Sequence, residues 1–164
     1  MLASVDEQSP SPDDAPIDVS AVAIAEAARL RRIAITVLPS DALYVFGRAD
    51  QLSRVIGNLL DNAARFAHRT VELALSSDGR TVRVSVDDDG PGIALHDRHR
   101  VFERFTRLDQ SRAGDAGGAG LELALAKGIV ERHRGTICVD DSPLGGTRVV
   151  VELPAVGAQA LTNR

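Results

Sequence analysis

The chain has 164 residues, 44% of them hydrophobic and 26% charged, with a formal net charge of -4. That apolar content excludes a wholly disordered chain, and the acidic balance argues against a general nucleic-acid binder, which normally carries a basic face. A single cysteine, Cys138, excludes an internal disulfide and points to a cytosolic setting, and no stretch approaches the roughly 20 apolar residues needed to span a bilayer.

Residues 1–16 mix Ser, Pro, Asp and Glu with little apolar content. They read as a disordered leader or linker remnant, and without an apolar core they are no secretion signal. From Val19 the segment VSAVAIAEAARLRR predicts a short helix with a basic last turn. IAITVLP reads as a strand, and YVFG as a second short one closed by Gly47. The clearest helix runs from Asp50 to about Ala67, where Leu52, Val55, Ile56, Leu59, Leu60, Ala63 and Ala67 form a wide apolar stripe. TVELALS and TVRVSVD alternate around the hairpin signal SDGR.

Residues 89–120 are rich in Gly and charge, with one short helical patch near RHRVFERF, and read as a lid, a binding loop or disorder. LELALAKGIVERHRG predicts another amphipathic helix stopped at Gly135. TICVDD and TRVVVELP read as strands joined by SPLGG, with a loose tail over 155–164. This order predicts an α/β sandwich: a mixed, mostly antiparallel sheet of about five strands with about three helices on one face. Cys138 reads as a small core residue of its strand, and His133 as a dipole contact at a helix end.

Three segments carry chemistry. In NLLDNAARFAHR, Asn58, Asn62, Arg65 and Arg69 lie on one line beside the apolar stripe. Two amides and a guanidinium there can serve a hard cation and phosphates; a solvated polar face is the plainer reading. In VDDDGPGI, Asp88 ends a strand before Gly90 and Gly92. A carboxylate there can accept from an exocyclic amine while the glycines admit a flat ring, although DG and GPG are also common turn strings. GDAGGAGLELALAKG opens a glycine-rich loop straight into a helix, a geometry that suits anions or, more plainly, makes a flexible connection. His96 and His99 stand three apart without a further ligand to complete a metal site.

Together, and in this order, the segments resemble the ATP-binding catalytic domain of sensor histidine kinases. That family sits in the wider superfamily shared with type II topoisomerases, mismatch-repair ATPases and anti-sigma-factor kinases. NLLDNAARFA looks like the N box, VDDDGPGI the first glycine box, VFERFTR the F box, GGAGLELALAKGIVERHRG the second glycine box and GGTRVVVELP the last, within a domain over 17–154. The resemblance implies the Bergerat fold with a long ATP lid, and ATP and Mg2+ as cofactors. Asn62 would then be the principal magnesium ligand, assisted by Asn58, with Arg65 on the phosphates and Phe66 beside the adenine. Asp88 would accept from the adenine amino group, with Gly90, Gly92 and Ile93 shaping its pocket and Thr147 nearby. Gly118, Ala119 and Gly120 would meet the triphosphate and Leu121 would begin the helix behind it. Phe102 and Phe105 would anchor the lid, and Arg104 or Arg107 would reach the γ-phosphate.

The second glycine box departs from the family's GLGL: it reads GLEL, with Glu122 in place of a glycine. A carboxylate there either repels phosphates or, in the first helical turn, complements the helix dipole and faces solvent. The family's phospho-acceptor His, followed by Glu or Asp and then Arg and Pro, does not occur here. The expectation is therefore the ATPase half of a split kinase, although an excised domain would read the same. Such a domain passes the γ-phosphoryl group to a histidine on a separate dimerisation protein and thence to a response regulator, in the cytoplasm, with no nucleic acid and no membrane insertion. The alternatives are a nucleotide-binding regulatory module without turnover and an anti-sigma-factor-type serine kinase.

Overall fold

A computed structural model describes residues 12–103 and 121–157, together with Leu161. Seven strands and three α-helices are formed among them: β1 (Ala15–Asp18), α1 (Val19–Arg29), β2 (Ile35–Val37), β3 (Tyr44–Gly47), α2 (Ala49–Phe66), β4 (Val71–Ser77), β5 (Thr81–Asp88), α3 (Glu122–Arg132), β6 (Thr136–Asp141) and β7 (Thr147–Pro154). Two single 3-10 turns, Leu95–Asp97 and Arg100–Phe102, stand where the sequence suggested a helical patch. No helix among the described residues is long and apolar enough to cross a membrane.

The main sheet has the order β2-β4-β5-β7-β6. Only β2 and β4 run parallel; the other neighbours are antiparallel, giving the expected mixed five-stranded α/β sandwich. Valines at every second position of β5 and β7 (Val82, Val84, Val86, Val149, Val151) turn one sheet face inward. Against that face, α2 lays Leu52, Val55, Ile56, Leu59, Leu60 and Ala63, each at most 3% exposed. α2 therefore lies between α1 and α3 at the centre of the helical layer, fixed in rotation by its apolar stripe.

Three details differ from the sequence reading and a fourth adds to it. First, Ala15–Asp18 is a strand, paired antiparallel with β3 from Ala15–Gly47 to Asp18–Tyr44. Its four residues have no apolar alternation, so the partner strand and the Asp18 cap decide the structure. The Asp18 carboxylate accepts the amides of Ser20 at 3.0 Å, Ala21 at 3.4 Å and Leu43 at 3.4 Å, which starts α1 and ties it to β3. The other end of the domain shifts likewise: Ala155 bridges Val45, and the Val156 amide donates to the Tyr44 carbonyl at 2.9 Å.

Second, the left-handed residue that ends α3 is Arg134 (φ 60), not Gly135. The Gly135 amide donates to the Val130 carbonyl at 2.9 Å and the Arg134 amide to that of Glu131 at 3.0 Å, a Schellman closure. Gly135 is needed one residue later for space, because a Cβ there would meet the Glu152 carbonyl oxygen.

Third, Cys138 is exposed. On the edge strand β6 the inward positions are Ile137 and Val139, so the two-residue period turns Cys138 outward. Fourth, His133 joins two elements: its Nδ1 lies 2.8 Å from the Ile129 carbonyl, and its Nε2 accepts the Arg48 amide at 3.3 Å. The ring thus meets a carbonyl of the last turn of α3, as a contact at that helix end would, and also ties α3 to the residue before α2.

Candidate functional site

Four segments converge at one end of the sheet: the second half of α2, the loop after β5, the turn before β7 and the start of α3. The α2 stripe brings Asn58, Asn62 and Arg65 to one half-buried flank beside the core. Arg69 does not continue it, because α2 ends at Phe66. The Asn58 Nδ2 donates to the Glu122 carbonyl at 3.0 Å, which fixes the first residue of α3 against α2. The Glu122 carboxylate faces Arg65, with Oε1 3.6 Å from a guanidinium nitrogen and the two side chains 29% and 24% exposed.

Asp88, at the end of β5, is 3% exposed. Its Oδ1 accepts the amides of Gly90 at 2.9 Å and Thr147 at 3.1 Å, which leaves Oδ2 as an acceptor for a further donor. Burial pushes the Asp88 carboxyl above the usual range; the Thr147 and Gly90 amides oppose this, and the charges of Asp89 and Asp87 add to it. The loop that follows is packed backbone to backbone. A Cβ on Gly90 would meet the Phe66 carbonyl oxygen, and Gly92 adopts φ +77. Ile93 is half-buried, and its carbonyl accepts from Arg98 Nε at 3.2 Å. Arg98 also donates to Asp141 at 2.6 Å, so the segment entering the glycine-rich region is tied to the end of β6.

Thr147 is buried and contributes its amide to Asp88. Phe102 packs on the core, with the Lys127 Nζ 5.8 Å from its ring centroid. Leu121 stands immediately before α3 and its carbonyl accepts the Leu125 amide at 2.8 Å. Of the other expected residues, Arg104, Phe105, Arg107, Gly118, Ala119 and Gly120 lie outside the described residues. Among the described residues no cluster of three or more His, Cys, Asp or Glu is placed to hold a metal ion; His96 pairs with Asp97 at 3.3 Å.

Three contributors were not singled out from sequence. Asp89 accepts the amides of His68 at 2.8 Å and Arg69 at 3.0 Å, clamping the loop to the end of α2. The Arg69 amide foremost, with those of Thr70 and His68, holds the Asp89 carboxyl below the usual range. Gly146 presses on Asp88 so closely that a Cβ would strike the carboxylate. Asp87, on the other sheet face, takes a two-pronged contact from Arg148 at 2.8 and 3.1 Å. The GG before Thr147 and the run of three aspartates were the available signals, but only the fold distinguishes their roles.

A buried carboxylate oxygen beside close-packed glycines suits a flat heterocycle bearing an amine. Amide and guanidinium groups on the adjoining helix suit phosphates and a hard cation.

The chain as a whole is similar to known proteins. The profile of the family described as "Histidine kinase-, DNA gyrase B-, and HSP90-like ATPase" matches residues 47–157. The chain is 38% identical over 110 residues to the sensor histidine kinase CpxA of Escherichia coli K12, covering 67% of this chain and 24% of that protein. It thus spans about a quarter of the length of the curated relatives it matches. Its fold is similar to the solved mycobacterial sensor histidine kinase MprB, with TM-score 0.73 and 32% identity over 87% of this chain and 98% of that one. It is also similar to the ATP binding domain of PrrB from Mycobacterium tuberculosis, with TM-score 0.72 and 29% identity over 88% and 99% of the respective chains.

Proposed function

The chain belongs to the histidine kinase-, DNA gyrase B- and HSP90-like ATPases, as an ATP-binding domain of the sensor-histidine-kinase type, and from that premise we propose that it binds Mg-ATP and donates the γ-phosphoryl group to a histidine on a separate phospho-acceptor polypeptide. The observation that carries the reading is Asp88: a carboxylate 3% exposed whose Oδ1 is held by two amides, so that Oδ2 is presented to an adenine amino group.

Phosphoryl transfer asks mainly for positioning and charge neutralisation. Asp88 orients the adenine, with Gly90, Gly92 and Ile93 walling the pocket and Phe66 and Thr147 beside it. Asn62 and Asn58 on α2 offer hard amide oxygens that fit a magnesium ion, which keeps most of its waters and phosphate ligands. When bound, that ion neutralises charge on the phosphate oxygens. Arg65 meets the phosphates from the same helix, and the family resemblance gives Arg104 or Arg107 the γ-phosphate, Phe102 and Phe105 the lid anchor, and Gly118, Ala119, Gly120 and Leu121 the phosphate loop. The imidazole of the acceptor attacks phosphorus, ADP leaves, and the phosphohistidine then supplies a response regulator. A cytoplasmic location belongs to the same proposal.

A second reading, nucleotide held without turnover, draws on the ion pair between Arg65 and Glu122. The test is incubation of the chain with Mg-ATP labelled at the γ-phosphate and the isolated dimerisation helices of a sensor histidine kinase. Acid-labile, base-stable label on the acceptor supports the kinase; ATP binding without label on any acceptor supports the second reading.

A further inference from the structure

We propose that Glu122 is a specificity-determining residue that narrows the preference for the more highly charged nucleotides, because its carboxylate occupies Arg65 until a phosphate displaces it. The proposal rests on the nucleotide-binding reading above and goes beyond it.

Position 122 is held in place before its side chain is considered. It opens α3, and the Asn58 Nδ2 bond to its carbonyl at 3.0 Å fixes that backbone against α2. From there the side chain has two physical options: to point to solvent, complementing the helix dipole, or to reach across to α2. It takes the second, with Oε1 3.6 Å from Arg65 and both side chains largely withdrawn from water. Arg65 lies on the same face of α2 as Asn58 and Asn62, seven and three residues after them. The only cationic group on that flank of α2 between Asn58 and Phe66 is therefore neutralised by an internal carboxylate.

A ligand that uses Arg65 must replace this carboxylate. A single carboxylate carries one negative charge, whereas a di- or triphosphate carries more and accepts in two-pronged fashion from a guanidinium. The competition therefore costs a nucleotide affinity in proportion to how much of its binding rests on Arg65, most for the triphosphate and less for the diphosphate. Adenosine, which makes no call on Arg65, is unaffected by it. The freed Glu122 carboxylate also lies close to the entering phosphates and repels them unless it swings away.

The experiment is calorimetric titration of the chain and of Glu122→Gln with ATP, ADP and adenosine in magnesium, repeated in an Arg65→Gln background. Thermal melts establish that each variant is folded, and Glu122→Ala serves as an independent removal of the charge. The expected result is ATP bound about threefold to fivefold tighter by Glu122→Gln, the size of a partly screened charge pair. ADP gains less and adenosine nothing, and the ATP gain shrinks markedly once Arg65 is Gln. Unchanged ATP affinity in both Glu122 variants overturns the proposal, as does an equal gain for adenosine. A gain of the same size in the Arg65→Gln background also overturns it, because repulsion alone would then account for the effect. If no folded variant binds ATP, ADP or adenosine, it is the nucleotide-binding reading itself that fails.

Discussion

The carboxylate of Asp88 and the amide of Thr147, 59 residues apart in the chain, meet at 3.1 Å. This bond joins the loop after β5 to the turn before β7. It holds one oxygen of a buried acid and so leaves the other for a ligand. Asp88→Asn preserves the acceptor for both amides but replaces the second oxygen with a donor. Adenine nucleotide affinity is expected to fall about tenfold to hundredfold, as for loss of a buried charged hydrogen bond. Melting temperature should hold or rise, because a buried charge has been removed. Calorimetry beside a thermal melt checks both halves, and a fall in melting temperature with intact affinity would contradict them.

The same residue sets a pH dependence. Burial raises the Asp88 pKa in the folded chain, so its ionised form destabilises the fold at neutral pH, and this penalty disappears as pH falls through the folded pKa. Nucleotide binding has the opposite sign, since the acceptor is lost on protonation. Affinity should decline on acidification at a pH above that at which exposed aspartates titrate, and Asp88→Asn should flatten the profile. Titrations across mildly acidic pH decide this.

Asp89 behaves in reverse. Its pKa is lowered, first by the Arg69 amide, so it contributes stability above the unfolded pKa that is lost as pH falls through the folded value. Asp89→Ala should lower the melting temperature at neutral pH and leave a smaller difference in acid. Because it frees the end of α2 from the loop after β5, it should also weaken ATP binding. Equal melting curves at neutral pH would remove Asp89 from this role.

Gly146→Ala forces a methyl group into Asp88 and the adjacent backbone. Overpacking of this kind costs about 1–3 kcal/mol, and here it should also displace the Asp88 carboxylate and so weaken ATP binding. Denaturant unfolding and ATP titration together check it; a neutral effect on both would show that the turn relaxes freely.

The elements that were legible in sequence are those whose neighbours are similar along their length. TRVVVELP, with β-branched residues at a two-residue period, gives β7 as Thr147–Pro154, and the α2 stripe gives a helix within one residue of its ends. Ala15–Asp18 was not legible, because its strand state comes from pairing with β3. The site divides in the same way. Asp88 stands out at the end of an alternating strand. Asp87, Asp88 and Asp89 are identical in sequence, yet one pairs with Arg148, one accepts the Gly90 and Thr147 amides and one clamps the end of α2. Strand alternation and loop packing separate them, and both are tertiary. Glu122 was visible as a departure from the family, but its choice of Arg65 over solvent required the packing of α3 on α2.

The central claim, that α2 and the Asp88 loop together hold Mg-ATP, is tested most directly by calorimetric titration of the chain with ATP, with and without magnesium, beside Asn62→Ala. The account predicts magnesium-dependent binding by the wild type and its loss in a folded Asn62→Ala variant. Unchanged magnesium-dependent affinity in that variant would contradict the assignment of Asn62, and no binding of ATP by any folded form would contradict the account as a whole.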